Sequence, residues 1–279
     1  MSAGIGIIVP LDGSRIAENA VPFAALVAKL YGEPVTFVHV LEGEKVASDE
    51  ERERARTTFV SYAKELAQRW GITTFRAEMR EGRPAASVLD FGEEARFFVI
   101  ASHGRGGFRA TVVGSVADKI VRGATKPVFF IPGVGKPGEA SLKVIVVALD
   151  GSAEAEQVLE PARDLAARAS GGIGLVRAWQ LPPPGGFEYS YYTEDVIGTF
   201  KTTAEQYIAG IAREGDRQYV AQGAPAIVVQ EAAARLDADL VAVSSSGKGL
   251  ARRLALGSVT DRLMHSLHLP MLIVPPAEE

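Results

Sequence analysis

Three short segments of this chain hold residue types that could hold a ligand. They are Asp12-Gly13-Ser14, Ala101-Ser-His103-Gly104-Arg105-Gly-Gly107 and Gly114-Ser115. Glycines let successive backbone N–H groups face a common centre, because no side chain blocks them. If Gly114-Ser115 opens a helix, its unpaired N–H groups and partial positive charge attract an anion. The Ser115 hydroxyl adds a further donor. Together these predict an anion site of phosphate size. The Asp12 carboxylate is a poor phosphate neighbour, but it accepts hydrogen bonds from a ribose hydroxyl or an exocyclic amine. Phosphate contacts beside a sugar or base contact describe a nucleotide.

Each segment occurs twice. Val9-Pro-Leu-Asp12-Gly-Ser14 returns as Val147-Ala-Leu-Asp150-Gly-Ser152, offset by 150 − 12 = 138 residues. Gly114-Ser-Val-Ala-Asp-Lys-Ile120 returns as Gly257-Ser-Val-Thr-Asp-Arg-Leu263, and each is followed by a proline at the same distance, Pro127 and Pro270. Gly82-Arg-Pro84 mirrors Gly223-Ala-Pro225. Four landmarks in one order make the chain two copies of one unit. Modules over 1–132 and 142–279 are expected, with the Gly- and Pro-rich stretch 133–141 as linker.

The elements that must position these loops alternate. Short apolar runs read as buried parallel strands at Ile5–Val9, Val35–Leu41, Phe97–Ala101 and Val128–Ile131, with a weaker, alternating one near an edge at Thr73–Met79. Helices are expected after Ser14, over Ser48–Trp70, over Pro84–Ala95 with proline in its first turn, and over Ser115–Arg122. The second unit offers strands at Val144–Leu149, Ile173–Trp179, Arg217–Gln222, Leu240–Ser244 and Met271–Val274. The fold class is therefore α/β: two tandem doubly wound, five-stranded, parallel-sheet (Rossmann-like) modules. Ligands in such sheets bind beyond the strand C-termini, at the switch point. The last strands, 128–131 and 271–274, should lie at sheet edges, and exposed edges invite pairing. The two modules could pair with each other there, giving a pseudo-two-fold axis, and a homodimer through other surfaces stays open.

Ala101-x-x-Gly104, nine residues and Gly114-Ser115 resemble the ATP-binding signature of the universal stress protein family, Gly-x2-Gly-x9-Gly-Ser/Thr. Ser244-x-x-Gly247, nine residues and Gly257-Ser258 repeat it. The Asp-Gly-Ser turns and the His39-Val40 pair also match, and the likeness spans nearly the whole chain. The resemblance implies an ATP-binding stress or signalling module. It implies an adenosine pocket lined by Pro10, Leu11, Asp12 and Val40, with ribose and phosphates on Ala101, Gly104, Gly114, Ser115 and Val116. The second set is Ala148, Leu149, Asp150, Ala178, Ser244, Gly247, Gly257, Ser258 and Val259. A magnesium ion bridging the phosphates is plausible, without a protein ligand set named by the sequence. His103 is expected in a loop or phosphate contact, since its repeat partner is Ser246. Arg105 and Lys248 are the natural cations for outer phosphates. The first signature glycine is Ala101 in one half and Ser244 in the other. A side chain there weakens binding if the position needs φ > 0 or close ribose approach. The strand-2 residue is Val40 in one half and Ala178, beside Trp179, in the other. The first-half site is expected to bind more tightly.

Simpler roles compete. Asp12, Asp150, Ser14 and Ser152 could only stabilise helix starts, and Gly114-Ser115 could be only a cap. Arg105 and Lys248 could be solvated surface charge. His265 and His268 suit a helix C-terminus. Leu181–Tyr192, with three of seven tyrosines, could arch over the second site, meet a partner or pack between modules.

Composition bounds the function. Hydrophobic residues make up 47% of the 279, and the net charge of −4 argues against nucleic acid or an anionic membrane as partner. No cysteine is present, which removes disulfides, thiolate metal sites and cysteine nucleophiles. No apolar run reaches the length of a membrane span, and residues 1–5 carry no signal-peptide pattern, so a cytoplasmic protein is expected. No Walker sequence, pyrophosphatase loop, nucleotidyl-transferase His-x-Gly-His or carboxylate cluster is present, so catalysis is expected to be slow or absent. A slow ATPase or phosphoryl or nucleotidyl transferase, and a nucleotide-free oligomerising scaffold, are the competing functions.

Overall fold

The computed structural model describes residues 4–42, 48–102, 113–133, 140–181, 192–245 and 256–276. In the first half, β1 (Ile7–Pro10) leads through a 3-10 turn to α1 (Ala20–Tyr31), β2 (Val35–Leu41), α2 (Asp49–Arg69), β3 (Phe75–Glu81), α3 (Pro84–Phe91), β4 (Phe97–Ala101), α4 (Ser115–Gly123) and β5 (Val128–Ile131). The second half runs β6 (Val144–Leu149), α5 (Ala153–Glu156), α6 (Leu159–Ala169), β7 (Gly172–Trp179), α7 (Glu194–Ile211), β8 (Arg217–Gln222), α8 (Pro225–Arg235), β9 (Leu240–Ser244), α9 (Ser258–Ser266) and β10 (Met271–Val274).

All ten strands join one sheet in the order β3-β2-β1-β4-β5-β10-β9-β6-β7-β8. Within each half the pairings are parallel, and each half is doubly wound, with the switch between β1 and β4 or between β6 and β9. β5 and β10 pair antiparallel, Phe129 opposite Leu272. The edges expected at 128–131 and 271–274 are thus the centre of the sheet, and the halves pair inside one chain. The physical reason is composition: both strands are wholly apolar and buried, and the backbone edge that β4 leaves open on β5 and β9 leaves open on β10 is satisfied by pairing the two.

Alternate strand residues feed two cores. Ile7, Val9, Phe37, Val99, Phe129, Val147 and Leu272 face the layer of α1, α2, α6 and α7, whereas Ile8, Val38, Phe98, Phe130, Val146, Val243 and Ile273 face α3, α4, α8 and α9. Each core runs unbroken across the β5–β10 junction. A second clasp lies on the first face: the Tyr31 ring of α1 sits between the Arg96 and Arg168 guanidinium groups, 4.5 and 4.4 Å from its centroid. Arg168, from the second half, also donates to the Leu30 carbonyl at 3.2 Å.

Three boundaries differ from expectation. The Ser14 hydroxyl accepts from Ala17 N at 3.2 Å, but Ile16 is the N-cap of the 3-10 turn Ala17–Asn19 and Asn19 that of α1, so Ser14 caps neither. The helix expected to reach Ala95 stops at Phe91, where Gly92 N turns back to the Val88 and Leu89 carbonyls. The β3 strand starts at Phe75 and extends to Glu81, two residues beyond its expected span, following its full-length pairing with β2.

Candidate functional site

The two turns after the first strands are built alike. Ser14 N donates to Asp12 Oδ1 at 2.9 Å, and Ser152 N donates to Asp150 Oδ1 at the same distance. An aspartate that accepts from the residue two ahead makes a turn without helix or sheet. Gly13 and Gly151 complete it at φ 78° and 77°, where a side chain is strained. Ser152 then caps α5 through Ala155 N. The capping role therefore holds for Ser152 but not for Ser14, while the aspartates stand at strand ends beside the switch point.

The Gly-Ser helix starts are tied to the neighbouring strand. Ser102 N reaches the Ile131 carbonyl at 2.8 Å, and Gly114 N donates to the Ser102 carbonyl at 2.7 Å. Ser245 and Gly257 repeat both bonds, to Val274 and Ser245, at 2.8 and 2.7 Å. These bonds hold the start of α4 against the end of β4, and the start of α9 against the end of β9. Gly114 and Gly257 are N-caps at φ −65° and −60°, values open to any residue. Backbone freedom therefore does not require glycine at either position. Ala101 and Ser244 are likewise strand ends without positive φ. That removes the conformational objection to a side chain there.

A cavity of about 750 Å³ opens at the C-terminal ends of β6, β7 and β9. Of the residues expected in the second half, Ala148, Leu149, Asp150, Ala178, Ser244, Gly257, Ser258 and Val259 line it. Ser244 is only 8% exposed, and Thr260 Oγ1 donates to its carbonyl at 2.7 Å. Ala148, Val176, Ala178 and Val229 give the lining an apolar part, and the start of α9 also lines it. In the first half, Pro10, Leu11 and Asp12 end β1, Val40 lies near the end of β2, Ala101 ends β4, and Ser115 and Val116 open α4. The fold thus brings the first set to one sheet end as it does the second. His103, Gly104, Arg105, Gly247 and Lys248 lie outside the described residues, as does most of 181–192.

Several wall residues escaped the sequence reading. Pro225 belongs to the Gly-x-Pro landmark, which signalled only the repeat; as the first residue of α8 it lines the cavity. Val176 and Val243 follow from strand alternation once the sheet faces are known. Arg122 had no signal at all, since it comes from α4 of the other half. Its Nε donates to Asp118 Oδ1 at 2.9 Å and its Nη2 to Asp261 Oδ1 at 2.7 Å, and both Arg122 and Asp261 line the cavity. Burial opposes the charge on this guanidinium, but the two carboxylates outweigh it and hold its pKa above the usual value. Among the described residues no group of three or more His, Asp or Glu side chains is placed to hold a metal ion.

Behind each turn lies a tyrosine held by a glutamate. Tyr62 donates to Glu18 at 2.9 Å and Tyr207 to Glu156 at 3.0 Å. Burial, and then the glutamate acceptor, push both phenols up. Between turn and tyrosine the halves differ: His39 Nδ1 bonds the Leu11 carbonyl at 2.7 Å, whereas the Arg177 guanidinium lies 4.9 Å from the Tyr207 ring centroid.

An apolar wall, a strand-end carboxylate, free helix-start N–H groups and a cation suit a ligand with a flat apolar part and an anionic tail. Comparison with known proteins agrees with this architecture. Over 291 residues the chain is 27% identical to a universal stress protein of Mycolicibacterium smegmatis, covering 97% of each. It is 26% identical over 297 residues to universal stress protein Rv2005c of Mycobacterium tuberculosis, covering 96% of each. A solved universal stress protein from Archaeoglobus fulgidus, 17% identical, shares the fold with a TM-score of 0.70 over 98% of both chains. The model of the Universal stress protein family matches twice, over residues 6–132 and 141–275. Two copies of that unit, one from each half of the repeat, make this chain a member of the universal stress protein family.

Proposed function

We propose that this chain binds adenine nucleotide, ATP in the first instance and with magnesium on the phosphates, and acts as a nucleotide-responsive stress or signalling module. The observation that carries this reading is the second-half cavity. Its volume of about 750 Å³ lies in the range of about 300–1,000 Å³ usual for small-molecule sites. Ala148, Val176 and Ala178 would take the base, Asp150 a ribose hydroxyl, and the N–H groups of Ser258 and Val259 with the Ser258 hydroxyl the phosphates. The resemblance of 101–115 and 244–258 to the family's ATP signature supports the same assignment. In this reading the modules are 1–132 and 142–279, joined by 133–141, and the first-half set of Pro10, Leu11, Asp12, Val40, Ala101, Gly114, Ser115 and Val116 forms a second, tighter site.

Titration calorimetry with ATP and magnesium tests the reading. Saturable binding that adenosine also shows more weakly is expected; no heat at millimolar ATP would end it. Native mass spectrometry of the same sample counts nucleotides and subunits together. Turnover above about 0.1 per second, against an enzyme median near 10 per second, would replace a binding module by an enzyme.

A further inference from the structure

The second cavity is not built by the second half alone. Pairing of β5 with β10 sets α4 and α9 on the same face of the sheet. Arg122, in the last turn of α4, reaches across this junction to Asp261 in the first turn of α9 and joins the cavity wall there. Its side chain is 36% exposed, so the guanidinium is held by two carboxylates yet faces the cavity. Asp261 would repel an anion at this wall. Arg122, shared with Asp118, offsets only part of that charge, but it leaves donors to spare, since a guanidinium carries five N–H groups and two are used here.

We infer that Arg122 of the first half contacts the anionic end of the ligand in the second-half cavity, so that this site is a composite of both halves and discriminates by phosphate charge. The inference rests on the nucleotide reading above and deepens it. The geometry separates the two ends of the ligand. Ala148, Val176 and Ala178 line the cavity from strands β6 and β7, whereas Arg122 is bonded to Asp261 in the first turn of α9, the helix that Ser258 and Val259 open. A planar fork there suits phosphate oxygens, which it binds in pairs. The offset that carries Gly114 to Gly257 carries Asp118 to Asp261 but Arg122 to His265. The matching position for the first-half site is therefore not an arginine, and the sites differ in this contact.

The test uses the full chain carrying Gly114→Val, a substitution the extended backbone at Gly114 accepts, so that titrations report the second cavity. In that background ATP, AMP and adenosine are titrated against Arg122→Gln, Arg122→Lys, Asp261→Asn and the Arg122→Gln/Asp261→Asn pair, with thermal melts to show folding. Arg122→Gln should weaken ATP about tenfold more than it weakens adenosine, with AMP between. Arg122→Lys should recover part of that loss, and Asp261→Asn should tighten ATP. The double variant should stay weak for ATP. Recovery of ATP binding in the double variant would show that Arg122 only screens Asp261 and would overturn the contact, as would equal losses for ATP and adenosine. Absence of ATP binding in the unsubstituted chain would instead overturn the nucleotide reading, whereas ATP binding to that chain but none in the Gly114→Val background would overturn the composite site alone.

Discussion

Asp12 and Asp150 end their strands in the same turn, yet the side chains behind the two turns are unlike. In the first half the His39 ring is pinned to the Leu11 carbonyl and packs on Phe59, with ring centroids 5.4 Å apart. In the second half Arg177 fills that position. Its Nη1 lies 2.7 Å from where a Cβ on Gly151 would stand, and its Nε and Nη1 are buried without a hydrogen-bond partner. A buried donor left unmade costs about 1–3 kcal/mol, offset here by the Tyr207 ring, worth about 0.5–2 kcal/mol. The turn and the Tyr–Glu pair are shared, and the residue between them is free to vary in chemistry. The repeat therefore preserves backbone geometry more strictly than the polar packing beneath it.

The strand starts contrast too, and there the largest effect is expected. Gly6 lies at φ 71°, and a Cβ on it would stand 2.2 Å from the Pro34 carbonyl. Its counterpart is Val144, whose N–H is taken by Asp239 at 3.0 Å. Gly6→Ala should cost about 3 kcal/mol of unfolding free energy by urea denaturation. Gly32→Ala, with open space at φ 68°, should cost only about 1 kcal/mol. Equal costs would mean that the Pro34 loop yields.

Next in size comes the comparison of the two sites. Gly114→Val and Gly257→Val should each remove one ATP, and the first should lower overall affinity more, by about tenfold or 1.4 kcal/mol. Equal losses would sink the expected asymmetry. With Ala101 and Ser244 both in ordinary strand conformation, that asymmetry now rests on Val40 against Ala178.

Exchanging the residues behind the turns should act in opposite directions. Arg177→His should raise stability by up to about 1 kcal/mol by removing orphaned donors. His39→Arg should lower it by about 1–2 kcal/mol, because the Leu11 carbonyl loses its partner. A drop for both in denaturant melts would show that each half has packed around its own residue.

The smallest contrast is a predicted equality. Tyr62→Phe and Tyr207→Phe should each cost about 1 kcal/mol. In an alkaline absorbance titration both phenols should ionise above the usual value of about 10. The sign follows from the neutral phenol being favoured in the fold. That preference is fully present below pH of about 10 and is lost as pH rises toward the folded value, so stability falls there. One phenol titrating normally would mark its half as the looser one.

Most of the architecture was legible because local signals agreed with the global fold. Apolar runs bounded by turn residues marked the strands, and strand-end position and repeat picked out eight second-half residues that line one cavity. Boundaries slipped where tertiary pairing overrode local pattern: β3 follows the full length of β2 rather than its own alternation. Pro225 was seen as a landmark but not as a wall, because nothing local says which way the start of α8 faces.

The sequence by itself determined the repeat, the alternation of strand and helix, the turns at Asp12 and Asp150, and the helix starts at Gly114 and Gly257. These depend on residue type and short spacing, and short-range sterics and hydrogen bonding enforce them. Only the tertiary structure decided that the two halves share one sheet and that Arg122 of one half reaches Asp261 of the other. Both depend on β5 meeting β10 antiparallel, a contact between residues 128–131 and 271–274, and no local pattern encodes which distant strand an apolar edge will choose.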